Sequence, residues 1–279
     1  MKVSVSGYYG WRKRLTEQPT LKRQSLARMV RNCYFENRRR YGSRRIKEAL
    51  RKQGLGIGRF QVRQLMKEQG LRAIGPKAFK PRTTDSKGTS AAPNLIKDLP
   101  LAECAPAKVI VGDITYIRMR DGSFSYLAVW QDKVTRRIVG WSLSREMTAE
   151  LVVSALEKAI RKKLVKAGAI IHTDRGSQYA STAFRTLLRQ EGLRQSMSGV
   201  GNCYDNAQAE SFFSRFKTEL IEGGAFEDIE QARTEIFSYI EGYYNRIRLH
   251  SSLGYKSPME FEAEWKIKNG GKIDSFLSI

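Results

Sequence analysis

The sequence predicts an α/β protein in which a small all-α domain precedes a mixed five-stranded sheet flanked by helices. Three observations support this prediction. Apolar residues recur at helical spacing between Leu21 and Gln69, three β-rich runs with short turns follow from Val109, and two short strands then alternate with helices. Because 279 residues exceed one typical domain, the chain has room for the sheet and one or two smaller modules.

Residues 1–75 are predicted to form a basic helical DNA-binding domain with a helix-turn-helix. Helices are expected over Leu21–Asn37, from a cap at Ser43 to the glycine-rich stretch Gly54–Gly58, and from Arg59 to about Gln69. The second and third helices carry the candidate DNA-binding side chains Arg44, Arg45, Arg59, Arg63 and Lys67. The same pattern also occurs in small helical hairpins that bind no DNA.

Charge is concentrated in the first third of the chain. Residues 1–100 hold 25 Lys and Arg against 6 Asp and Glu, whereas residues 101–279 hold 25 against 22. This asymmetry indicates a polyanion partner, because each Lys or Arg beside a phosphate releases condensed counterions. Composition alone leaves RNA binding and a merely solvated basic face open.

The rest of the chain is predicted to be a linker, a sheet domain and a helical extension. Residues 76–107 hold five prolines without periodicity and are predicted to be the linker. Residues 108–222 carry strands at Val109–Met119, Ser123–Gln131, Arg137–Leu143, Ala169–Thr173 and Gln195–Ser198, and helices after a Thr148 cap, over Thr182–Glu191 and from about Asp205. Residues 223–279 carry one long amphipathic helix from Ile229 to about His250.

Three acidic residues are placed where a metal site could form. Asp113 lies inside the first β-rich run, Asp174 follows the fourth strand, and Glu210 lies on the helix after the fifth. Sixty residues separate the first two acids, and 35 separate the last two. Acids on apolar strands are costly to bury unpaired, so these carboxylates predict a site for hard metal ions, with Gly112 leaving space beside the first.

The segments around these acids resemble those of one protein family. The phrases GDITYI (112–117), HTDRGSQY (172–179), CYDNAQAESFFSRFK (203–217) and YYNRIRLHSSLGYKSPMEF (243–261) are similar, in that order, to the OrfB transposases of IS-three family insertion sequences. The acids and their spacing resemble the Asp-Asp-Glu triad of retroviral-integrase-like transposases. The resemblance covers nearly the whole chain, and it implies an RNase H-like fold for residues 108–222.

The resemblance further implies a DNA transposase that binds its element's ends and catalyses Mg²⁺-dependent strand cleavage and strand transfer. Asp113, Asp174 and Glu210 would be the catalytic residues and also the ligands of two Mg²⁺ ions, for which Mn²⁺ could substitute. The partners would be double-stranded DNA, as terminal inverted repeats and target, and further copies of the chain in a synaptic complex. The family's full-length product usually carries an upstream helix-turn-helix and leucine zipper from OrfA, and no heptad run precedes residue 20 here. The chain is therefore either an OrfB portion with OrfA as a possible partner, or a member that dispenses with OrfA.

Other side chains are candidates for DNA contacts. Lys217 lies seven residues after Glu210, hence on the same helix face, and the resemblance favours a contact with a DNA-end phosphate. The remaining candidates, in a loop and at a helix end, are Arg175, Gln178, Tyr179, Tyr244, Arg246 and His250. For the helix-end cluster, packing against the sheet domain is an equal alternative. His172 is expected to be hydrogen-bonded near the site rather than a metal ligand.

Two alternatives to a transposase remain at this stage, a structure-selective nuclease on the same fold and a DNA-binding regulator with an inactive sheet domain. The intact set of three acids disfavours the regulator. No apolar run approaches the roughly 20 residues of a membrane span, and no signal-peptide pattern is present. The three widely spaced cysteines argue against a disulfide framework. A cytoplasmic, nucleoid-associated bacterial protein is therefore predicted.

Overall fold

The computed structural model describes residues 4–16, 21–75, 92–97, 99–100, 104–199, 207–221 and 224–270, and the chain divides into two compact units, Met1–Ile74 and Gly75–Ile279. The described helices of the first unit are α1 (Val5–Thr16), α2 (Leu21–Glu36), α3 (Ser43–Lys52) and α4 (Arg59–Glu68). No helix was predicted over α1, because its two glycines and three aromatic residues form no helical apolar stripe.

Helices α2, α3 and α4 enclose a small apolar core. Its most buried side chains lie three or four residues apart on each helix, and they are Val30, Ile46, Leu50, Val62 and Leu65. Gly54, at φ +83°, turns the chain after α3 in a left-handed conformation that favours glycine. Ser43 is the first residue of α3, and Gly42 is the N-cap without a side-chain hydrogen bond. The predicted serine cap is therefore wrong.

The second unit is built on a five-stranded sheet. Its strands are β1 (Val109–Arg118), β2 (Phe124–Asp132), β3 (Ile138–Ser144), β4 (Ile170–Thr173) and β5 (Arg194–Met197). Their order across the sheet is β3-β2-β1-β4-β5, with antiparallel pairing among the first three strands and parallel pairing from β1 to β4 to β5. The predicted mixed five-stranded sheet is confirmed.

Two helices, α5 (Ala149–Arg161) and α6 (Thr182–Gln190), pack on this sheet over a core that includes Trp130 and Phe184. The rings of these two residues stack with centroids 5.7 Å apart. Two glycines permit close packing, because a Cβ at Gly140 would overlap the Ala155 carbonyl and one at Gly112 would overlap the Trp130 ring. The space that Gly112 leaves is thus filled by Trp130, which corrects the prediction that it opens room beside Asp113.

The remaining helices depart most from the predictions. Helix α7 (Ala207–Phe216) continues into a π-helical turn at Lys217–Ile221, and α8 (Ile229–Phe237) continues into a second one at Ser238–Tyr244. The continuous helix predicted to reach His250 is therefore wrong in its last turns. The predicted start of the α7 helix at Asp205 lies outside the described residues.

A last helix, α9 (Pro258–Lys268), lies in a stretch where no helix was predicted. Ser257 and Glu260 form a reciprocal capping box, and Pro258 occupies the first turn, where a missing N–H costs nothing. None of the helices in the described ranges combines the length and the apolar character that crossing a bilayer requires.

The described part of the predicted linker packs against the sheet rather than standing apart from it. Ile96 and Cys104 are buried against Val109 and Ile170, and the Leu95 amide donates to Ser196 Oγ at 2.9 Å. These contacts tie Leu95, Ile96 and Cys104 to strands β1, β4 and β5.

Candidate active site

Strand pairing brings the first two acids together. In the parallel pair of β1 and β4, Val111 lies beside His172. Asp113 and Asp174 each follow two residues later, so the two acids lie side by side. Asp113 is half-buried and Asp174 is exposed. A local amide fixes each carboxylate, since Ile114 N–H donates to Asp113 Oδ1 at 2.8 Å and Gly176 N–H donates to Asp174 Oδ1 at 3.0 Å.

The electrostatics of Asp113 show that the charges of Asp174 and Glu210 both reach it. Burial, together with the negative charges of Asp174 and Glu210, raises the pKa of Asp113 to about 8, against the lowering effects of the Ile114 amide and Lys217. Desolvation of its carboxyl group also raises the pKa of Asp174, although the residue as a whole keeps an exposed surface, and the Gly176 amide opposes this effect. The shift therefore favours the protonated form of Asp113.

Glu210 lies on the exposed face of α7, in its first turn. Among the residues that the structure describes, no group of three or more His, Cys, Asp or Glu side chains is close enough to enclose a metal ion. Asp113, Asp174 and Glu210, hereafter the acidic cluster, thus form an open arrangement with one carboxylate on each of three elements.

Tyr179 lies beneath the acidic cluster. It was predicted to contact DNA, but the turn Ser177–Ala180 directs its ring into the core, where it is 2% exposed and packs edge-on against Trp130 and Phe184. Burial and the charges of Asp113 and Asp174 raise its pKa well above the usual value. Its hydroxyl makes no hydrogen bond among the described residues. Direct DNA contact by Tyr179 is incompatible with this burial.

The other two DNA-contact candidates of this loop, Arg175 and Gln178, bind backbone carbonyls. Arg175 Nε donates to Ser198 O at 3.0 Å, and Gln178 Nε2 donates to Met147 O at 3.3 Å. Both side chains are half-buried, so they shape the loop that follows Asp174. Gly176 has little free space, since an added Cβ would lie 3.1 Å from Asp174 Oδ1.

Lys217 lies beside the acidic cluster and on an aromatic side chain that was not predicted to take part. Its Nζ lies 4.0 Å from the centroid of the Tyr116 ring, a cation–π contact. Burial lowers the pKa of Lys217, and the charge of Asp113 opposes that effect. Tyr116 is 40% exposed and packs edge-to-face on Phe124. The sequence held no signal for Tyr116, because strand alternation assigns residues three apart to opposite faces of the sheet.

His172 is fully buried, and both ring nitrogens have partners. Nδ1 lies 2.9 Å from Ser196 Oγ and Nε2 lies 3.1 Å from Ser198 Oγ, so the imidazole joins β4 to the segment that begins with β5. This placement agrees with a hydrogen-bonded histidine near the site rather than a metal ligand.

The helix-end cluster is mainly a packing element. Tyr244 is 3% exposed, accepts a hydrogen bond from Gln131 Nε2 at 2.9 Å and packs edge-on against His250. His250 is half-buried, and Arg246 is exposed. Of the DNA contacts predicted here, the one at Tyr244 is incompatible with its burial, whereas Arg246 remains accessible.

A buried ion pair that the sequence did not reveal lies next to this cluster. Arg248 donates to Glu219 through Nε at 2.9 Å and Nη2 at 2.6 Å, and the Tyr239 hydroxyl donates to the same carboxylate at 3.0 Å. Arg248 and Glu219 are 3% and 5% exposed. The pair joins the π-helical turn after α7 to the segment after α8.

In the first unit, the candidate DNA-binding side chains differ in exposure. Arg44, Arg59, Arg63 and Lys67 are exposed, whereas Arg45 is half-buried over the Tyr41 ring. Three of the exposed cations lie on α4 and follow one another at four-residue spacing. They line one side of that helix.

Family models match these same regions. Residues 104–203 and 191–258 each match a model described as integrase core domain, and residues 21–79 match a model described as HTH-like domain. The sheet with its carboxylates is therefore an integrase core, and the chain is a polynucleotidyl transferase of the transposase and integrase class.

Similarity to curated proteins defines the family. The chain is 43% identical to the transposase for insertion sequence element IS904 of Lactococcus lactis subsp. lactis, over 87% of this chain and 95% of that protein. It is 39% identical to transposase InsF for insertion sequence IS3A of Escherichia coli, over 94% of this chain and 91% of that protein. Among solved structures, the HTLV-2 integrase catalytic core domain in complex with magnesium has 16% identity and a TM-score of 0.42, over 56% of this chain and 97% of that one. The chain belongs to the IS3 family of insertion-sequence transposases.

Proposed function

We propose that this transposase cuts and joins DNA at the acidic cluster, with Asp113, Asp174 and Glu210 holding Mg²⁺. The observation that carries the proposal is the parallel register of β1 and β4, which brings Asp113 beside Asp174, with Glu210 close enough for its charge to raise the pKa of Asp113. Structural acids are ordinarily paired or solvated, whereas neighbouring carboxylates that raise a pKa are typical of a functional site.

The donor set fits Mg²⁺, and Mn²⁺ as a substitute. All three side chains offer carboxylate oxygens, which these hard ions prefer, and each comes from a different element. The open arrangement leaves coordination positions for water and substrate phosphate oxygens. Two bound ions would neutralise charge on the phosphate and activate the attacking oxygen.

The proposed reaction has two displacements at phosphorus. Water attacks a phosphodiester at the element's end, and the broken bond leaves a free 3′-hydroxyl. That hydroxyl then attacks a target phosphodiester, forming one bond for each one broken. Gly176 N–H holds Asp174, and Lys217 extends beside Asp113 toward a neighbouring phosphate. Because an element has two ends, we propose that copies of the chain assemble on them as a homo-oligomer.

The direct test is incubation of the full chain with a labelled duplex carrying an element end and Mg²⁺. We expect nicked product first and strand-joined product later. Nicking without joining would favour a nuclease, and binding without either product would favour a regulator.

Deletion of residues 1–75 should abolish preference for element ends while leaving weak metal-dependent nicking. The deleted part carries the exposed cations of α4, and the acidic cluster lies in the other compact unit. Binding should also lose most of its salt dependence. Gel-shift titrations at several salt concentrations, with end and random duplexes, measure both effects, and unchanged end discrimination would contradict the prediction.

The raised pKa of Asp113 predicts how metal-free stability depends on pH. The unfolded chain ionises Asp113 near pH 4, whereas the folded chain keeps its proton to about pH 8. Between these values the folded state binds more protons, so its stability should fall as pH rises. Thermal unfolding in a chelator at pH 5 and pH 8 tests this, with Asp113→Asn expected to show a shallower decline.

Lys217→Ala is expected to raise the DNA concentration needed for cleavage and to lower the salt slope of binding by about one unit, the effect of one lost phosphate contact. Lys166 is the matched control, because it is exposed. Lys158 is unsuitable, since its Nζ donates to Trp141 O and Ser142 Oγ. If Lys217→Ala and Lys166→Ala change the required DNA concentration and the salt slope equally, Lys217 does not contact a DNA phosphate.

A further inference from the structure

The outward face of α4 has an aromatic side chain at its centre. Phe60 is 80% exposed, which is unusual for a large apolar residue in a folded helix. At about 100° per residue, Phe60 points roughly opposite to the mean direction of the buried Val62, Leu65 and Met66. The fold of this unit therefore does not need Phe60, which stands directly away from the core.

The other exposed phenylalanine of this unit, Phe35, contacts neighbouring side chains of the protein. Phe35 packs edge-on against Tyr34 at 5.1 Å between centroids and lies under the Arg31 guanidinium. Among the residues that the structure describes, no ring or cation makes such a contact with Phe60. Phe60 is thus available to a partner.

The surroundings of Phe60 indicate what that partner is. Arg63 and Lys67 lie on the same exposed side of α4, three and seven residues further on. Cations around an apolar group suit a polyanion that also presents an apolar surface. Duplex DNA has that combination in its major groove, where the 5-methyl group of thymine lies between the phosphate backbones.

We propose that Phe60 contacts the 5-methyl group of a thymine in the element's end and is a specificity-determining residue of this transposase. The proposal rests on the proposed binding of DNA ends by the N-terminal unit. Phe60 is the second residue of α4, and the first turn of the second helix in a helix-turn-helix is the part that reaches base edges. Arg59, Arg63 and Lys67 would hold the helix against phosphates and bases while the phenyl ring reads the methyl group.

The test removes the methyl group and the ring separately. Full-length wild-type protein first selects a duplex from a random-sequence library, and each thymine of that duplex is then replaced in turn by uracil. We expect replacement of one particular thymine by uracil to lower the wild-type affinity about fourfold, because one methyl group fewer is buried on binding. Phe60→Ala should bind the thymine duplex more weakly and show no difference between thymine and uracil at that position. Phe60→Leu should keep part of the difference.

Phe35→Ala is the matched control, and it should keep the wild-type discrimination. A Phe60→Ala variant that discriminates thymine from uracil as the wild type does would overturn the proposal. A Phe60→Ala variant with unchanged DNA affinity but an altered sedimentation coefficient would also overturn it. That result would assign Phe60 to a contact between protein chains. If the wild type selects no sequence at all, the proposed binding of DNA ends by this unit fails, and that result is distinct from loss of methyl reading alone.

Discussion

Single replacement of Asp113 or Asp174 by Asn, or of Glu210 by Gln, is expected to abolish cleavage and joining together. Each amide keeps the shape of the acid but removes a charge that the proposed metal ions need. Metal activation supplies several kcal/mol of transition-state stabilisation, so both rates should fall about a thousandfold or more. Both steps should fail alike, because one site serves both displacements. Initial rates on labelled DNA ends and on pre-cut ends measure the two steps separately.

The control for this prediction is Glu146→Gln, an exposed acid in the loop after β3, which should keep wild-type rates. DNA binding in a chelator should be unchanged in all four variants. Asp113→Asn should in addition stabilise the metal-free protein at pH 8, because it removes a half-buried charge that Asp174 and Glu210 oppose. A variant of any of the three acids that joins DNA at the wild-type rate would end that residue's assignment.

Arg248→Met should destabilise the second unit by about 3–5 kcal/mol, the usual result of leaving one member of a buried ion pair without its partner. Glu219, at 5% exposure, would lose the two charge-assisted hydrogen bonds that Arg248 donates, while the hydrogen bond from the Tyr239 hydroxyl would remain. Unfolding in urea measures the change. The matched control is Arg246→Met, two residues earlier and exposed, which should shift stability by no more than about 0.5 kcal/mol.

A double variant separates charge burial from lost packing. Glu219→Leu with Arg248→Met removes both charges, and apolar replacements of a buried pair are often neutral or stabilising. The double variant should therefore be more stable than Arg248→Met alone. If it is less stable by the sum of the two single effects, the pair contributes through packing rather than through its charge balance.

The sequence predicted the sheet and its acids because both depend on local patterns. Alternating and apolar runs gave β1 to β5, and an acid at the end of β4 could be seen without knowledge of its neighbours. Asp113 and Asp174 meet because their strands are adjacent and parallel, which follows once the order of elements is known. Open carboxylates at a strand edge are therefore a feature that a single sequence can reveal.

Features that depend on distant contacts were not predictable in the same way. The Arg248–Glu219 pair joins residues 29 positions apart, and nothing local distinguishes a buried arginine from the exposed Arg246. Tyr179 was assigned to DNA because it follows polar loop residues, but one short turn directs its ring inward. Gly112 was predicted to leave space beside Asp113. The space is instead occupied by the ring of Trp130, the residue paired with Gly112 on the adjacent strand.

The two π-helical turns have a consequence for how this chain tolerates changes in length. Each such turn holds one residue more than an α-helical turn, so removal of a single residue would let the backbone close into ordinary α-helix. In the turn Lys217–Ile221, deletion of a residue before Glu219 would move the Glu219 carboxylate one position closer to Glu210 along the helix. Glu219 would then no longer face Arg248. A single-residue deletion before Glu219 should therefore be far more harmful than a substitution in the same turn that leaves the Glu219–Arg248 pair in place, such as Thr218→Ala at a half-buried position.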